Sequence, residues 1–321
     1  MYGSITDIEG IKVGHASDFE AYTGCTVILC EKRAVGGVDV RGTAAGTRQV
    51  NALGMLHIVD EVNAILLAGG SAYGLDAAGG VMQYLEEQGR GFKTTVTTVP
   101  IVPTANIFDL TFGSHRVRPD KEMGYQACLN ATGGAVEEGS VGAGTGATVG
   151  KLYGPERATK GGIGTASIAL PNGVRVAALV VVNAFGDVLD AETSQIIAGT
   201  RESPTGRGFV NSTEQMMVGP SRNMFLENTT LGVVVTNVAL TKNEAHKVAQ
   251  MSNIGYARTI SPVHTTFDGD VIFTLSLGEV QADVNSVGLL GAKVITEAVM
   301  RGVKAADGFG IIPAYKDLIS G

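Results

Sequence analysis

The chain has no tryptophan, and its three cysteines, Cys25, Cys30 and Cys128, are odd in number and lack metal-ligand spacing. Charged residues make up only 17% and no lysine/arginine run occurs; with a net charge of −7, the basic surface that nucleic acid or an anionic membrane requires is not expected. No stretch reaches membrane-spanning length without charge; Val174 to Val182 is too short and carries Arg175. The opening Met1-Tyr2-Gly3-Ser4-Ile5 lacks the basic and apolar regions of a secretory signal. The histidines (His15, His57, His115, His246 and His264) show no His-x-x-x-His or Glu-paired pattern, so a catalytic metal is not expected. These absences predict a soluble, cytoplasmic protein without structural disulfides.

What is present is a chain of 321 residues, 44% hydrophobic, long enough for a sizeable core. Its 45 glycines are scattered through varied sequence, which points to tight turns and close backbone approaches rather than a linker. Short apolar runs read as strands at Ile11-Lys12-Val13, Cys25 to Leu29, Gly37 to Val40 and Ala64 to Ala68. Gly69-Gly70-Ser71 then leads into helical spacing at Leu75, Val81, Met82 and Leu85, with Ser71 as the expected N-cap. Further strands are expected at Ile163 to Ala169, Val174 to Val182, Leu231 to Val238 and Val271 to Leu275. Thr241-Lys242-Asn243-Glu244 is a capping box opening a helix to about Tyr256, and Val284 to Val303 reads as a long helix. The polar stretch from Ser194 to Asn223 reads as an exposed loop. Together these give a mixed α/β chain without internal repeats.

Familiar chemical motifs fail on inspection. Gly142-Ala143-Gly144-Thr145-Gly146 ahead of Lys151 lacks the spacing of a phosphate loop, and no apolar strand runs into Gly142 as a dinucleotide fingerprint requires. Gly69-Gly70-Ser71-Ala72-Tyr73 resembles a nucleophile elbow but ends in Tyr where Gly is needed; Ser71 is better read as a helix cap or the backbone wall of a site. A hydrolase built here needs another base. Asn228-Thr229-Thr230, just before the apolar run Leu231 to Val235, offers one. If the Asn228–Thr229 bond is cut, Thr229 carries a free α-amine of pKa roughly 7.7–8 beside its own hydroxyl, so nucleophile and general base share one residue.

Four other positions have both a plain and a chemical reading. Asp268-Gly269-Asp270 is either a turn or a pair of carboxylates that orient the Thr229 hydroxyl and hold the ammonium beside it. Lys151, among Val149, Gly150 and Leu152, is either a surface lysine or a desolvated one of lowered pKa that tunes the amine. Asn183, after Val180-Val181-Val182, is either a strand end or an amide donor to a developing oxyanion.

The landmarks Ala68 to Leu75, Gly142-Ala143-Gly144, Gly150-Lys151, Asn228-Thr229-Thr230, Thr236-Asn237-Val238 and His264 to Asp270 span nearly the whole chain. Through them it resembles the autoprocessing aminopeptidase/D-esterase family, which includes β-peptidyl aminopeptidases and the nylon oligomer (6-aminohexanoate oligomer) endohydrolase. The resemblance implies a four-layer α-β-β-α sandwich like that of N-terminal-nucleophile hydrolases. It also implies self-cleavage of one 1–321 hydrolase domain into fragments 1–228 and 229–321 that remain together, usually in a tetramer. Carried over, Thr229 matches the nucleophile, and Lys151, Asn183, Asp268 and Asp270 match the supporting residues of the nylon oligomer branch. Ser71, Tyr73 and Phe108 are the substrate-pocket candidates, Phe108 standing where the characterised enzymes carry Tyr. The implied activity is hydrolysis of short peptides or ω-amino acid oligomers, with no metal or organic cofactor. The alternatives are an aminopeptidase of the β-peptidyl or L-aminoacyl type, an acyltransferase like the distantly related ornithine acetyltransferase, and an uncleaved binding or structural protein.

Overall fold

Several strands are buried at nearly every position rather than at every second one, among them Thr23–Cys30, Ala64–Ala68, Arg175–Asn183 and Thr229–Val238. That pattern requires sheets covered on both faces. The computed structural model, which describes residues 3–219 and 228–319, shows what covers them. One set of alternate residues (Val13, Ile28, Ile65, Leu67) meets Ala177, Leu179, Val181, Leu231, Val233 and Phe273 in a shared core between two sheets. The other face of the first sheet, through Val27, Leu66 and Ala68, packs on Ala78, Val81, Leu85 and Cys128 of the helices Ala78–Glu87 and Lys121–Leu129. The outer face of the second sheet, through Val180, Val234 and Ile272, packs on Val248, Tyr256, Val294 and Ile295 of the helices Lys242–Thr259 and Val284–Lys304. The layers therefore run helix, sheet, sheet, helix, as the resemblance implied.

The first sheet orders its strands Ile11–Asp18, Thr23–Cys30, Ala64–Ala68, Thr104–Asn106, Thr47–Arg48. The second orders Gly162–Ala169, Arg175–Asn183, Thr229–Val238, Val271–Val280, Val35–Val40. Thr229–Val238 is central there, antiparallel to Arg175–Asn183 and parallel to Val271–Val280. Among the described residues no helix is long and apolar enough to cross a membrane.

The Thr241 capping box forms: the Thr241 N–H donates to Glu244 Oε2 at 2.8 Å and the Glu244 N–H to Thr241 Oγ1 at 3.3 Å. Two expectations need correction. Ser71 is not the N-cap of its helix. Gly70 holds that place at φ 78°, Ser71 opens a 3-10 turn running to Ala77, and the α-helix starts only at Ala78. The reason lies across the chain: Asp109 Oδ1 accepts the Gly70 N–H at 2.7 Å and Ile107 O accepts the Ser71 N–H at 2.9 Å, so tertiary partners satisfy these donors. Nor is the stretch from Ser194 simply an exposed loop, as far as Gly219. Ile196–Ala198 pairs with Asp187–Leu189, and Ser212–Val218 is helical. Thr200, Arg201 and Ser212 are buried, the Arg201 guanidinium donating to the carbonyls of Glu156, Ala158 and Pro204. Asp187 accepts the N–H of Thr200 and of Ser212, and burial lifts its carboxyl to about 6. Hydropathy cannot foresee polar residues buried because the backbone and one aspartate satisfy them. Residues 220–223 of that stretch lie outside the described residues.

Candidate active site

The Thr229–Val238 strand opens beside the last residue of Arg175–Asn183: Asn183 is the cross-strand partner of Thr229. Val181 and Leu231, two residues further along each strand, both face the core between the sheets. Strand alternation therefore puts the side chains of Asn183 and Thr229 on that same face. Both are almost wholly buried, Thr229 at 2% exposure.

The Thr229 hydroxyl donates to the carbonyl oxygen of Asn228 at 2.6 Å. The same oxygen accepts the Gly269 N–H, also at 2.6 Å. Asn228 donates in turn to the Phe267 carbonyl, through its N–H at 2.9 Å and its side-chain amide at 3.3 Å. Asn228 thus forms one parallel bridge with the Phe267–Gly269 segment. Glycine is obligatory at 269, because a Cβ there would lie 2.8 Å from Thr229 Oγ1 and 2.7 Å from the Ala44 carbonyl.

Lys151 arrives from the first half of the chain. Gly150 has φ +71°, and a Cβ on it would stand 2.0 Å from the Thr200 nitrogen, so only glycine lets this segment press against Gly199-Thr200. The Gly150 and Lys151 N–H groups donate to the carbonyls of Gly186 and Phe185, and the Lys151 ammonium reaches Asn183 Oδ1 at 2.9 Å and Asn183 O at 3.1 Å. Burial brings the Lys151 pKa down to about 7, against the opposing pull of Asp268 and Asp109. The desolvated reading of Lys151 is thus the one the fold adopts. Asn183 Oδ1 also accepts the Thr148 N–H at 3.0 Å, and Asn183 Nδ2 donates to the Phe108 carbonyl at 3.3 Å. In the intact chain, then, the main-chain donor on the Asn228 carbonyl is Gly269 rather than the Asn183 amide.

Neither carboxylate of the Asp268-Gly269-Asp270 pair accepts the Thr229 hydroxyl. Asp268 takes the Phe185 N–H at 3.1 Å and both the N–H and hydroxyl of Thr265. Asp270 takes the Thr230 N–H at 2.7 Å and, through its other oxygen, the N–H and ring Nδ1 of His264. Asp270 therefore fixes the backbone just after Thr229, and Asp268 ties the Thr265 turn to Phe185. Burial raises Asp268 to about 7, the neighbouring Asp270 charge adding to the effect.

Ser71 is buried beneath the segment that carries Phe108, whereas Tyr73 is 62% exposed with the Arg118 guanidinium 4.1 Å above its ring. Tyr73 thus stands outside the buried group. Two residues to which the sequence assigned no role act here. Asp109, accepting Gly70 N–H and the Thr23 hydroxyl, ties the Gly69-Gly70 turn to the Phe108 segment, and burial raises its pKa. Its signal was a lone acid within Ile107-Phe108-Asp109-Leu110. His264 pairs with Asp270; its signal was its place at the head of the landmark His264 to Asp270. Among the described residues, no three His, Cys, Asp or Glu side chains are grouped to hold a metal ion.

The sequence profile described as "Peptidase family S58" matches residues 3–311. The chain belongs to peptidase family S58. An uncharacterised aminopeptidase of Mycobacterium leprae is 39% identical to this S58 peptidase, over 99% of this chain and 94% of that protein. The 6-aminohexanoate-oligomer endohydrolase of a Kocuria species is 31% identical, over 93% of this chain and 85% of its own. Among solved structures, a Burkholderia β-aminopeptidase superposes with TM-score 0.70 at 19% identity, over 99% of this chain and 93% of that one. The L-aminopeptidase D-Ala-esterase/amidase of Ochrobactrum anthropi, described as a variant of the Ntn hydrolase fold, gives TM-score 0.72 at 18% identity, over 95% and 87%. These two likenesses establish the fold. Family membership makes this S58 peptidase a hydrolase of amide bonds.

Proposed function

We propose that the chain cuts its own Asn228–Thr229 bond and that the freed Thr229 then hydrolyses amide bonds in short peptides or ω-amino acid oligomers. The observation that carries this reading is the Thr229 hydroxyl 2.6 Å from the Asn228 carbonyl oxygen, with the Gly269 N–H on that same oxygen. In the processing step Thr229 Oγ1 bonds to the Asn228 carbonyl carbon, the peptide C–N bond breaks, and the nitrogen takes up a proton as an amine. Water then opens the resulting ester, leaving an Asn228 carboxylate. The fragments 1–228 and 229–321 stay joined because the Thr229–Val238 strand pairs on one side with Arg175–Asn183 of the first fragment.

In turnover the new α-amine accepts the hydroxyl proton as Oγ1 attacks the substrate carbonyl, then hands it to the leaving amine. Water, activated by the same amine, releases the acid. Asn183 supports the oxyanion from the face it shares with Thr229, and the buried Lys151 ammonium holds that side chain in place. No step calls for a metal or organic cofactor. Removal of an amino-terminal residue from peptides is the second reading, favoured by the 39% identity to a protein named an aminopeptidase.

Intact mass and N-terminal sequencing test the proposal. The smaller fragment should begin Thr-Thr-Leu-Gly, and Thr229→Ala should give a folded, uncut and inactive chain. An active preparation containing only full-length protein would refute it. Sedimentation of the cut protein tests the tetramer that the family resemblance implied.

A further inference from the structure

We propose that Lys160, a buried lysine with no part in the steps above, is a positioning residue for hydrolysis: it orients and polarises the Asn183 carboxamide through the Ala147–Thr148 peptide. This rests on the reading of Asn183 as the side chain that supports the oxyanion.

Lys160 is wholly buried. Its ammonium donates to three main-chain carbonyls: Gly144 at 2.9 Å, Ala147 at 2.8 Å and Gly161 at 2.8 Å. Taking a cation out of water is unfavourable, and burial brings the Lys160 pKa down to about 7 against the pull of Asp109 and Asp307, the Lys151 charge adding to the fall. Stitching a turn together does not require such a group. Main-chain donors do that here already: the Gly161 N–H bonds the same Ala147 oxygen at 2.9 Å, and the Ala147 N–H bonds Gly144 O at 3.2 Å.

What the ammonium reaches is one peptide group with two ends. Thr159–Lys160 pairs antiparallel with Thr148–Val149, which sets Lys160 opposite Thr148. Gly161 lets this pair close on the strand that ends at Asn183, since a Cβ there would stand 2.1 Å from the Val182 carbonyl. The Ala147 C=O and the Thr148 N–H share one planar trans peptide and point in opposite directions. With the C=O held by Lys160, the N–H is aimed at Asn183 Oδ1, which accepts it at 3.0 Å. A cation on an amide oxygen draws charge from the amide nitrogen and makes its N–H a stronger donor. The Asn183 carboxamide, itself planar, passes the same effect from Oδ1 to Nδ2. Two buried lysines thus act on Asn183 Oδ1, Lys151 directly at 2.9 Å and Lys160 through a peptide. The donor they strengthen is Asn183 Nδ2, which rests on the Phe108 carbonyl at 3.3 Å. An oxyanion beside Thr229 is a far better acceptor than that carbonyl, so the polarisation acts mainly as charge develops.

The test is a double-mutant cycle on the self-processed protein at pH 7. The assay is release of amine ends from a short peptide amide and from a 6-aminohexanoate oligomer, whichever the wild type cuts faster. Lys160→Met removes the cation at similar length and should lower kcat by at least about tenfold, the scale of a charge-assisted hydrogen bond, with KM within about threefold of wild type. In an Asn183→Ala background the same substitution should change kcat by less than about threefold. An equal fall in both backgrounds makes Lys160 a stitch in the turn and overturns the proposal, as does an unchanged kcat in Lys160→Met. A folded Lys160→Met protein that loses more than Asn183→Ala overturns it too, because a residue acting through Asn183 cannot matter more than Asn183 itself. Where the methionine chain does not fold, Lys160→Gln, which keeps a neutral donor in the turn, takes its place in the cycle with the same outcomes. Wild-type kcat in Asn183→Ala overturns the oxyanion reading and the proposal with it. A wild-type chain that stays full length overturns the processing reading instead.

Discussion

Replacing Lys151 by Met should make the protein more stable while disabling it. The Lys151 ammonium is buried, and its pKa falls from 10.5 to about 7, so folding disfavours its charged form. A shift of this size is on the order of 5 kcal/mol of destabilisation when the lysine is charged in both states. The sign follows from proton counting. Between the folded pKa near 7 and the unfolded value of about 10.4 the unfolded chain holds the extra proton, so wild-type stability rises with pH across that window, by about 1.4 kcal/mol per unit. Methionine is uncharged and of similar length, so the variant lacks both the penalty and the slope. Part of the gain is forfeited: Asp268 loses its cationic neighbour, and Asn183 loses two hydrogen bonds, although its Oδ1 keeps the Thr148 N–H. A net gain of about 2–3 kcal/mol at pH 6, shrinking towards zero by pH 9, is expected.

The comparison belongs in a Thr229→Ala background, where both proteins are expected to be uncut single chains and urea unfolding gives comparable midpoints. Lys160, buried and lowered to about 7 as well, is lowered in part by the Lys151 charge, so its pKa should rise in the variant and add to the gain at pH 6 with the same sign. A Lys151→Met chain that is less stable at pH 6, or whose gain is the same at pH 6 and pH 9, would refute the reasoning. With Thr229 restored, the same substitution should slow self-cleavage by well over tenfold on a denaturing gel, because the ammonium that holds Asn183 is gone.

Thr229→Ser should still cut, since it keeps the hydroxyl beside the Asn228 carbonyl, and N-terminal sequencing would then read Ser-Thr-Leu-Gly. Asp270→Asn sets an amide where one oxygen now accepts from His264, and should slow cleavage more than tenfold and lower stability by about 1–3 kcal/mol in chemical denaturation; normal processing would return the pair to a plain turn. Asp268→Asn, which disturbs the Phe185 and Thr265 contacts, should likewise slow processing with the circular dichroism spectrum retained. Phe108→Tyr supplies the hydroxyl that the family resemblance implies at this position and should raise turnover of 6-aminohexanoate oligomers, by up to about tenfold for one added hydrogen bond; unchanged release of amine ends would show that this hydroxyl does not reach the reacting group.

Elements whose cause is local were legible from the sequence. The Thr241 capping box, the apolar runs that became Arg175–Asn183 and Thr229–Val238, and the long Val284–Lys304 helix depend on residues a few positions apart. The helix expected to end at Tyr256 runs on to Thr259, and the strand expected to end at Leu275 runs on to Val280, because tertiary packing extends what local propensity starts. Thr229 and its supporting residues had a plain and a chemical reading each, between which only motif resemblance chose, and the sequence could not aim their side chains. Asp268 and Asp270 read as partners of the Thr229 hydroxyl; instead they take main-chain N–H groups of Phe185, Thr265, Thr230 and His264, because buried donors must be satisfied wherever the chain brings them. Lys151 was equally consistent with the surface until the Gly150 contact with Gly199-Thr200 sealed it inside, and that burial, not its neighbours in sequence, lowers its pKa. The sequence determined which segments become strands and helices and supplied the residues with the right chemistry. Sheet register alone set Asn183 opposite Thr229 and Gly269 on the Asn228 carbonyl, since pairing between distant strands decides which atoms meet.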